Sequence, residues 1–328
     1  MLTWWPWLPK YARDPIMNEL FPLRGKRVYV AGHRGMAGGA IVRRLASEGC
    51  EVVTATRGEV DLTRQRDTEE WLSEAKPDAV FVAAARVGGI LANNERPAEF
   101  LYENLAIETN LIHAAYRVGM KKLLFLGSSC IFPRNAPQPM REEYLLTGPL
   151  EPTNAAYAIA KIAGIKMCEA YRAQYGCDFI SAMPTNLYGY GDRYDLTQGH
   201  VAAAMIMKVH AAKASGAATL EIWGTGTPRR EFLFSEDLAD GCIFMMKNYS
   251  DAQFLNLGTG TDVTIRELAE TVAGVAEWKG GFVYDTTKPD GTPRKIMDVS
   301  RLAGLGWKSR TSLQEGIRKT YQDYAARR

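Results

Sequence analysis

Short apolar runs that alternate with helical patterns constrain the fold of this 328-residue chain more than any other feature. The runs are rich in β-branched residues and lack polar alternation, which is typical of strands buried on both faces of a parallel sheet. The predicted strands are residues 27–31, 51–56, 79–84, 122–126 and 179–183. Helical spacing marks residues 36–48, 67–75, 99–118, 157–175 and 201–214. This alternation of strands and helices predicts a doubly wound α/β fold with a parallel sheet.

The strand–helix pattern loosens after residue 188, and this change suggests two regions. Residues 25–188 are predicted to form a nucleotide-binding domain that carries a candidate catalytic set of serine, tyrosine and lysine. Residues 189–328 are predicted to form a smaller α/β substrate-binding region, with one or two strands returning to the sheet. Residues 1–24 begin with alternating Trp and Pro and are interpreted as a poorly ordered extension. An aromatic tag for a membrane surface or a partner protein is the alternative.

Composition and charge exclude several functional classes. Apolar residues make up 46% and charged residues 23% of the chain, which are ordinary values for a globular protein. The chain has 40 basic and 37 acidic residues, and the basic residues form no cluster. This argues against a nucleic-acid partner. No apolar stretch reaches the ~18 residues of a membrane helix, so no membrane partner is expected. The five cysteines are widely spaced without a Cys-x-x-Cys pair, so we expect no metal site and a reducing, cytoplasmic location.

A Gly-x-x-Gly-x-x-Gly motif lies between the first predicted strand and the first predicted helix. Glycines in this context allow a tight turn and let backbone N–H groups approach a pyrophosphate at the helix N-terminus. A simple packing turn is the alternative, because three spaced glycines alone are a weak indication. The strand–turn–helix context favours a Rossmann-type dinucleotide site. The predicted cofactor-binding residues of the motif are Gly32, His33, Arg34, Gly35, Met36 and Gly38.

An arginine after the second predicted strand indicates which dinucleotide is bound. Arg57 and Arg34 can converge on one point, and two guanidinium groups there suit the 2′-phosphate of NADP rather than the free ribose of NAD. The alternative is a pair of solvated arginines, with Glu59 or Asp61 contacting the ribose. Asp61 and Leu62 are expected near the adenine.

Tyr157 and Lys161 stand four residues apart in a predicted helix, so the phenol and the ammonium share one face. The lysine charge is expected to lower the pKa of the phenol, which can then exchange a proton with a hydroxyl–carbonyl pair. Ser128 follows the fourth predicted strand and can complete the set as a hydrogen-bond donor. Cofactor and substrate are expected to share the rim Ser128–Cys130. The predicted cofactor-binding residues at the end of this strand are Leu126, Gly127, Ser128 and Ser129.

Sequence blocks in a fixed order, spanning about residues 25–305, resemble the extended short-chain dehydrogenase/reductase family. The blocks are AGHRGM, AAARVGGILANN, LGSSCIFP, EPTNAAYAIAKIAGIK, MPTNLYG, WGTGTPRREF and KPDGTPRK. Within the family they are most similar to epimerase-reductases, which turn GDP-4-keto-6-deoxy-D-mannose into GDP-L-fucose. The resemblance implies inversion at C3 and C5, followed by reduction of the C4 ketone with NADPH.

The resemblance also implies roles for residues of this chain. Inversion beside a ketone needs a base and an acid, and the resemblance places them at Cys130 and His200. A thiolate with a lowered pKa can act as the base, and a histidine titrates near neutrality. Ser128 would stabilise charge on the C4 oxygen, Tyr157 would protonate that oxygen, and Lys161 would support Tyr157 and bind the nicotinamide ribose. From spacing alone, a buried apolar Cys130 and a surface His200 are the alternatives.

Further binding residues and a partner follow from the same resemblance. The nicotinamide half of the cofactor is expected to contact Pro184, Thr185, Asn186 and Leu187, and His200 is a further predicted cofactor-binding residue. The matching substrate-binding positions are Lys208, Trp223, Arg230 and Asp290, and Lys295 is a further candidate cation for the diphosphate of the nucleotide sugar. Relatives commonly pair through two long helices. We therefore expect a homodimer in which residues 99–118 and 155–175 contribute to a four-helix bundle.

The sequence leaves two other functions open. An NAD-dependent nucleotide-sugar 4-epimerase shares the fold but needs neither Arg57 nor the Cys130/His200 pair. A non-catalytic NADPH-binding scaffold does not need the complete set of serine, tyrosine and lysine. The sequence therefore favours an NADPH-dependent epimerase-reductase.

Overall fold

The computed structural model describes residues 19–196, 199–288 and 290–327. Most of the predicted N-terminal extension, including its tryptophans, lies outside the described residues. Residues 19–24 differ from the expectation of a poorly ordered segment, because they pack on the body of the protein. Leu23 is buried in the core, the Phe21 N–H donates to the carbonyl of Lys247 at 3.1 Å, and the Glu19 carboxylate lies 2.7 Å from the Lys247 ammonium. The chain is therefore anchored from Glu19 onward.

Strands and helices alternate through the first half of the chain. In chain order they are β1 (Arg27–Ala31), α1 (Met36–Leu45), β2 (Glu51–Val53), α2 (Gln65–Ala75), β3 (Ala79–Val82), α3 (Ile90–Glu95), α4 (Pro97–Arg117), β4 (Lys122–Leu126), α5 (Ala155–Tyr175), β5 (Asp178–Pro184) and β6 (Asn186–Tyr188). The second predicted strand ends at Val53 instead of residue 56, because the Thr56 carbonyl accepts turn hydrogen bonds from the N–H groups of Glu59 and Val60.

The second half of the chain carries shorter elements. They are α6 (Val201–Ser215), β7 (Thr219–Trp223), β8 (Arg229–Arg230), β9 (Phe232–Phe234), α7 (Ser235–Asn248), β10 (Leu255–Leu257), β11 (Val263–Thr264), α8 (Ile265–Ala276), β12 (Gly281–Asp285), β13 (Arg294–Lys295), α9 (Ser300–Gly304) and α10 (Leu313–Ala326). Within the described residues, no helix combines the length and the hydropathy needed to cross a membrane.

Six parallel strands form the central sheet, in the order β10–β5–β4–β3–β1–β2. β1 lies between β2 and β3, so the strand order reverses beside β1. In doubly wound folds, ligands bind at the carboxyl edge next to such a reversal. β10 comes from the second half of the chain and pairs with β5, with Leu255 opposite Ala182 and Leu257 opposite Pro184. The sheet confirms the predicted Rossmann-type α/β fold.

Alternating side chains of β1 divide the core of the sheet into two layers. Val28 and Val30 pack with residues of α1 and α7 on one face. Tyr29 and Ala31 pack with residues of α2, α4 and α5 on the other. All four side chains are fully buried. Because successive strand residues point to opposite faces, a one-residue slip would exchange the two layers, and burial on both faces therefore fixes the register.

A third apolar core lies in the second half of the chain. Helices α6, α8 and α10 contribute Ile206, Leu268 and Ile317, which are fully buried. Small sheets flank this core: β6 pairs with β9, β8 lies between β11 and β13, and β7 pairs with β12. This arrangement places the loops of the second half near the carboxyl edge of the central sheet, through the pairing of β10 with β5.

β8 and β9 lie in residues 223–234, in the part of the chain where the strand–helix pattern of the sequence has loosened. Glu231, between the two strands, is fully buried. Its carboxylate accepts the N–H groups of Thr259, Gly260 and Met297 at 2.6, 2.8 and 2.9 Å. These partners are distant in sequence, so no local pattern reveals the two strands.

Candidate active site

The glycine motif forms a cradle at the carboxyl edge of the sheet, between β1 and α1. Gly32 has a φ of +84°, and a Cβ there would lie 2.7 Å from the backbone of Ala84, which follows β3. A Cβ at Gly38 would collide with the carbonyl oxygen of Gly32. No described side chain caps α1 after Gly35, and its first turn carries no acid. The uncapped helix N-terminus and the side-chain-free cradle fit a pyrophosphate.

Arg34 and Arg57 are exposed beside this cradle, and neither forms a salt bridge within the described part of the chain. Glu59 and Asp61, the alternative ribose ligands, are engaged in their own turns. Hydrogen bonds from Thr56 and, more weakly, the charge of Arg34 hold the pKa of Glu59 below its ordinary value. The charge of Arg57, by contrast, helps to lower the pKa of Asp61. Both guanidinium groups are thus available to an anion, although no described contact joins them to each other.

β4 delivers Ser128 and Cys130 to the same edge of the sheet. Gly127 follows the strand, and its N–H donates to the Ala182 carbonyl of β5 at 2.9 Å. The chain then forms one 3-10 turn, Ser129–Ile131, in which Ser128 Oγ accepts the Cys130 N–H at 3.5 Å. Cys130 is 7% exposed. The hydroxyl and the thiol are therefore neighbours on one rim.

α5 places Tyr157 against this rim, near enough to Ser128 for the serine side chain to affect the pKa of the phenol. Burial, followed by negative charge at Cys130 and Glu108, raises the pKa of Tyr157 well above its ordinary value, and the Ser128 hydrogen bond offsets this only in part. The expectation that Lys161 lowers the pKa of this phenol is therefore wrong. The Lys161 ammonium lies 5.8 Å from the Tyr157 ring centroid, and its charge is paired with another residue.

Glu108 of α4 is the partner of Lys161. Its Oε1 lies 2.8 Å from Lys161 Nζ, and the two side chains are 1% and 2% exposed. Lys161 Nζ also lies 4.7 Å from the centroid of the Phe125 ring. The sequence analysis did not single out Glu108, although helical periodicity puts it on the face of the buried Leu111 and Ala115. A charge on a buried face requires a partner, and this was the available signal.

Burial raises the pKa of the Cys130 thiol above its ordinary value. The charges of Lys295 and Lys161, and a hydrogen bond with Ser128, act in the opposite direction. This corrects the expectation of a thiol with a lowered pKa. It also places Lys295, predicted to bind the diphosphate, beside Cys130. Burial lowers the pKa of the Lys295 ammonium, and Cys130 raises it.

His200 lies at the N-terminus of α6 with its imidazole half-exposed. Its Nδ1 is 3.9 Å from Oδ1 of Asp192, a buried carboxylate whose Oδ2 accepts no hydrogen bond from the described residues. The sequence analysis did not single out Asp192. Among the described residues, no contact joins His200 to Cys130, so the structure does not bring this expected acid and base into contact.

The loop that leaves β5 is tied to the second half of the chain. The Thr185 N–H donates to the Leu257 carbonyl at 3.1 Å, and Asn186 Nδ2 donates to the Glu231 carbonyl at 2.8 Å. Because β5 adjoins β4, these bonds fix the loop next to the rim that follows β4. The predicted nicotinamide contacts span the end of β5 and the start of β6, and they are Pro184, Thr185, Asn186 and Leu187.

An exposed aromatic side chain with two cations forms a second candidate binding surface. Trp223, at the end of β7, is 65% exposed. The ammonium groups of Lys208 and Lys288 each lie 5.7 Å from the centroid of its ring system. A cation over an indole face is favourable by about 0.5–1 kcal/mol at exposed sites. The sequence analysis identified Lys208 and Trp223 but not Lys288.

Asp290 and Arg230 lie beside Trp223. Asp290 accepts hydrogen bonds from the N–H and the hydroxyl of Thr225 at 2.9 and 2.7 Å. Arg230 Nη1 donates to the Thr292 carbonyl at 2.6 Å. Burial lowers the pKa of the Arg230 guanidinium, and the charge of Asp290 raises it. Three predicted substrate-binding residues therefore share one surface, namely Trp223, Arg230 and Asp290.

Comparison with known proteins shows which family this chain resembles. The model of the NAD dependent epimerase/dehydratase family matches residues 28–258. A GDP-L-fucose synthase of Sinorhizobium fredii is 56% identical over 307 residues, which cover 94% of this chain and 98% of that protein.

Two solved structures share the fold over nearly the whole chain. A GDP-6-OMe-4-keto-L-xylo-heptose reductase from C. jejuni has a TM-score of 0.88 and 36% identity, covering 93% of this chain and 99% of the other. A GDP-L-fucose synthetase from Naegleria fowleri, bound to NADP, has a TM-score of 0.87 and 26% identity, covering 94% and 97%. The resemblance carried by the sequence blocks is thus confirmed, and the chain belongs to the NAD dependent epimerase/dehydratase family.

Proposed function

We propose that this protein converts GDP-4-keto-6-deoxy-D-mannose into GDP-L-fucose, by epimerisation at C3 and C5 and reduction of the C4 ketone with NADPH. Identity of 56% with a GDP-L-fucose synthase, over nearly the whole chain, supports the choice of substrate. The observation that carries the chemistry is the shared rim, where Ser128 contacts both Cys130 and Tyr157. One rim can then serve proton transfer at carbon and at oxygen.

Epimerisation exchanges protons at the carbons next to the ketone. Cys130 is the base, and the charge of Lys295 supports it because a nearby cation favours the thiolate. Ser128 donates a hydrogen bond to the ketone oxygen and stabilises the enolate. His200 delivers a proton to the opposite face of the carbon, and Asp192 orients its imidazole. The C–H bond breaks toward the thiolate, and the new C–H bond takes its proton from the imidazolium.

Reduction adds a hydride and a proton across the C4 carbonyl. Bound NADPH supplies the hydride. Tyr157 donates its phenolic proton to the C4 oxygen, and its raised pKa keeps that proton in place beforehand. Lys161 binds the nicotinamide ribose and stabilises the tyrosinate that remains. The glycine cradle holds the pyrophosphate, and Arg34 and Arg57 hold the 2′-phosphate.

The surface around Trp223 binds the GDP half of the substrate in this proposal. The exposed indole offers a face on which guanine stacks. Lys208 and Lys288 flank the indole, and with Arg230 they pair with the diphosphate. Asp290, beside Arg230, can accept N–H groups of the base.

Reduction at C4 without epimerisation is a second candidate function. Burial raises the pKa of Cys130, which disfavours the thiolate that epimerisation requires. A solved reductase of a GDP-linked keto-heptose shares the fold at 36% identity. In that case Cys130 is a buried apolar side chain.

One labelling experiment separates these functions. Purified protein is supplied with GDP-4-keto-6-deoxy-D-mannose and either NADPH or NADH in heavy water, and deuterium is located in the product. Oxidation of NADPH with label at C3 and C5 supports the epimerase-reductase. Reduction without label supports the simple reductase, and a lack of reaction with both cofactors contradicts both proposals. Tyr157→Phe, which removes the proton donor for reduction, is the matched control and should not oxidise NADPH.

We further propose that the protein acts as a homodimer in the cytoplasm. α4 and α5 pack side by side, and apolar or aromatic side chains on both are exposed, namely Tyr102, Ile159 and Tyr175. Pairing these helices with those of a second copy would bury such side chains in a four-helix bundle. Sedimentation tests this: the parent should be dimeric, Ile159→Lys should be monomeric, and Val283→Lys on β12 should behave as the parent.

A further inference from the structure

Glu108 is an ionisable side chain in the core that takes no direct part in the proposed chemistry. Its carboxylate, 1% exposed, lies 2.8 Å from the Lys161 ammonium. No other described residue donates a hydrogen bond to either carboxylate oxygen. Replacing a buried ion pair by well-packed apolar side chains often leaves a protein equally stable, because the two charges of the pair must be removed from water when the protein folds. Stability alone therefore does not explain a carboxylate at this position.

The surroundings of Glu108 tie it to the reacting groups. Lys161 lies one helical turn from Tyr157, with its Nζ 5.8 Å from the centroid of the phenol ring. The ionisable and polar groups that face the phenol are Ser128 and Cys130 on the rim, Glu108 on α4 and Lys161 on α5, while Lys295 on β13 faces Cys130. Glu108 is the carboxylate in this set, and it is the group that lies against the Lys161 charge.

We propose that Glu108 is a positioning residue, which fixes the Lys161 ammonium and offsets its charge so that Tyr157 keeps its proton until the ketone oxygen takes it. This inference rests on the proposed reduction. There, the hydride forms the C4–H bond, the C=O π bond opens, and the oxygen takes the phenolic proton, which leaves NADP⁺ and tyrosinate. A lysine charge without its counterion would favour the tyrosinate before the ketone has reacted, and a tyrosinate has no proton to donate.

The electrostatics of the phenol agree in direction with this role. After burial and Cys130, Glu108 is the next contributor to the raised pKa of Tyr157. A negative charge near a phenol disfavours the anion, so its removal should make tyrosinate form at lower pH. The carboxylate thus acts on the proton donor through space and through Lys161, without touching the substrate.

Ionisation of Tyr157 can be followed without turnover. Tyrosinate absorbance is titrated with pH in the free protein, and the signal of this residue is the difference between each protein and its Tyr157→Phe counterpart. Glu108→Gln keeps the shape of the side chain and removes its charge. We expect this substitution to lower the midpoint of the transition by about one pH unit. At a given pH below the midpoint, this corresponds to roughly tenfold more tyrosinate. An unmoved transition overturns the proposal.

Two further variants keep this test decisive. Glu108→Asp retracts the carboxylate from Lys161, and a smaller shift in the same direction is expected. If Glu108→Gln does not fold, an unmoved transition in folded Glu108→Asp overturns the proposal instead. Glu103→Gln is the matched control, because it removes a carboxylate of α4 that pairs with Arg86 at 2.7 Å and should leave the transition in place.

Kinetics distinguish positioning from a purely structural role. In Glu108→Gln, kcat for ketone reduction should fall mainly at alkaline pH, with its alkaline limb displaced in parallel with the tyrosinate transition. A uniform loss of kcat with an unmoved limb indicates a structural role and contradicts the proposal. If the parent protein does not reduce the GDP-linked keto-sugar, the proposed function fails, and the titration still decides the role of Glu108.

Discussion

Gly164 of α5 and Phe125 of β4 approach so closely that no side chain fits between helix and sheet. A Cβ at residue 164 would lie 2.8 Å from Phe125 Cε1 and closer still to Cζ. The same phenyl ring lies 4.7 Å from Lys161 Nζ. This glycine therefore sets the depth at which α5 carries Tyr157 and Lys161 into the site.

Replacing Gly164 with alanine should push α5 away from the sheet. We expect Gly164→Ala to lower the free energy of unfolding by about 1–3 kcal/mol, the usual cost of an overpacked core, and to lower kcat as well. Gly274→Ala in α8 is the control, because nothing lies within 4 Å of its Cβ and the change should stabilise by about 0.5–1 kcal/mol. Urea unfolding and steady-state kinetics measure both, and equal effects of the two substitutions would contradict the argument.

Arg57 should determine the preference for NADPH. We expect Arg57→Ala to raise KM for NADPH roughly tenfold, because a charge-assisted hydrogen bond contributes about 1.5–3 kcal/mol, and to leave KM for NADH unchanged. Arg66→Ala removes an exposed guanidinium that is paired with Glu70 at 2.7 Å and serves as the control. A parallel rise in KM for both cofactors would mean that Arg57 does not recognise the 2′-phosphate.

Lys295 should control the reactivity of Cys130. Its positive charge favours the thiolate, so Lys295→Met should raise the pKa of the thiol and slow its alkylation at a given pH. A rise of one unit corresponds to roughly tenfold less thiolate below the pKa. The rate of iodoacetamide labelling of the Cys130 peptide against pH measures this. Lys121→Met, at the opposite end of β4, is the control and should leave the pH profile of labelling unchanged. If the parent, Lys295→Met and Lys121→Met all gave the same profile, Lys295 would have no role in the reactivity of Cys130.

Asp192 should matter for proton return at carbon more than for reduction. Asp192→Asn keeps the shape but removes the charge 3.9 Å from His200 Nδ1. Positioned acid–base groups contribute about 10²–10⁴-fold in rate, so losing the orientation of His200 should slow deuterium incorporation at least roughly tenfold. Hydride transfer to the epimerised ketone in a single turnover should change little. Equal losses in both steps would argue against this assignment.

The fold follows from local patterns because its strands and helices are regular and its two layers are marked by alternating burial, as in Val28 and Tyr29. The glycine cradle and the spacing of Tyr157 and Lys161 are also local, so the sequence could place them. The boundary at residue 188 between the two predicted regions stays a prediction. β10 belongs to the second region in sequence, yet it pairs with β5 of the first region.

Long-range packing explains what the sequence did not reveal. Glu108, Asp192 and Lys288 lie beside their partners only after folding, and each is far from its partner in sequence or separated by a loop. The raised pKa values of Tyr157 and Cys130 have the same origin. Both depend first on burial, which spacing along one helix cannot report.

The pairing of β10 with β5 has a consequence for synthesis of the chain. When residues up to Pro184 have left the ribosome, β5 still presents an unpaired edge, with the N–H and C=O groups that Leu255 to Leu257 later engage. The central sheet is complete only when residue 257 has emerged. The nascent protein must therefore keep this edge from pairing with other chains while more than seventy further residues, about a fifth of the molecule, are translated.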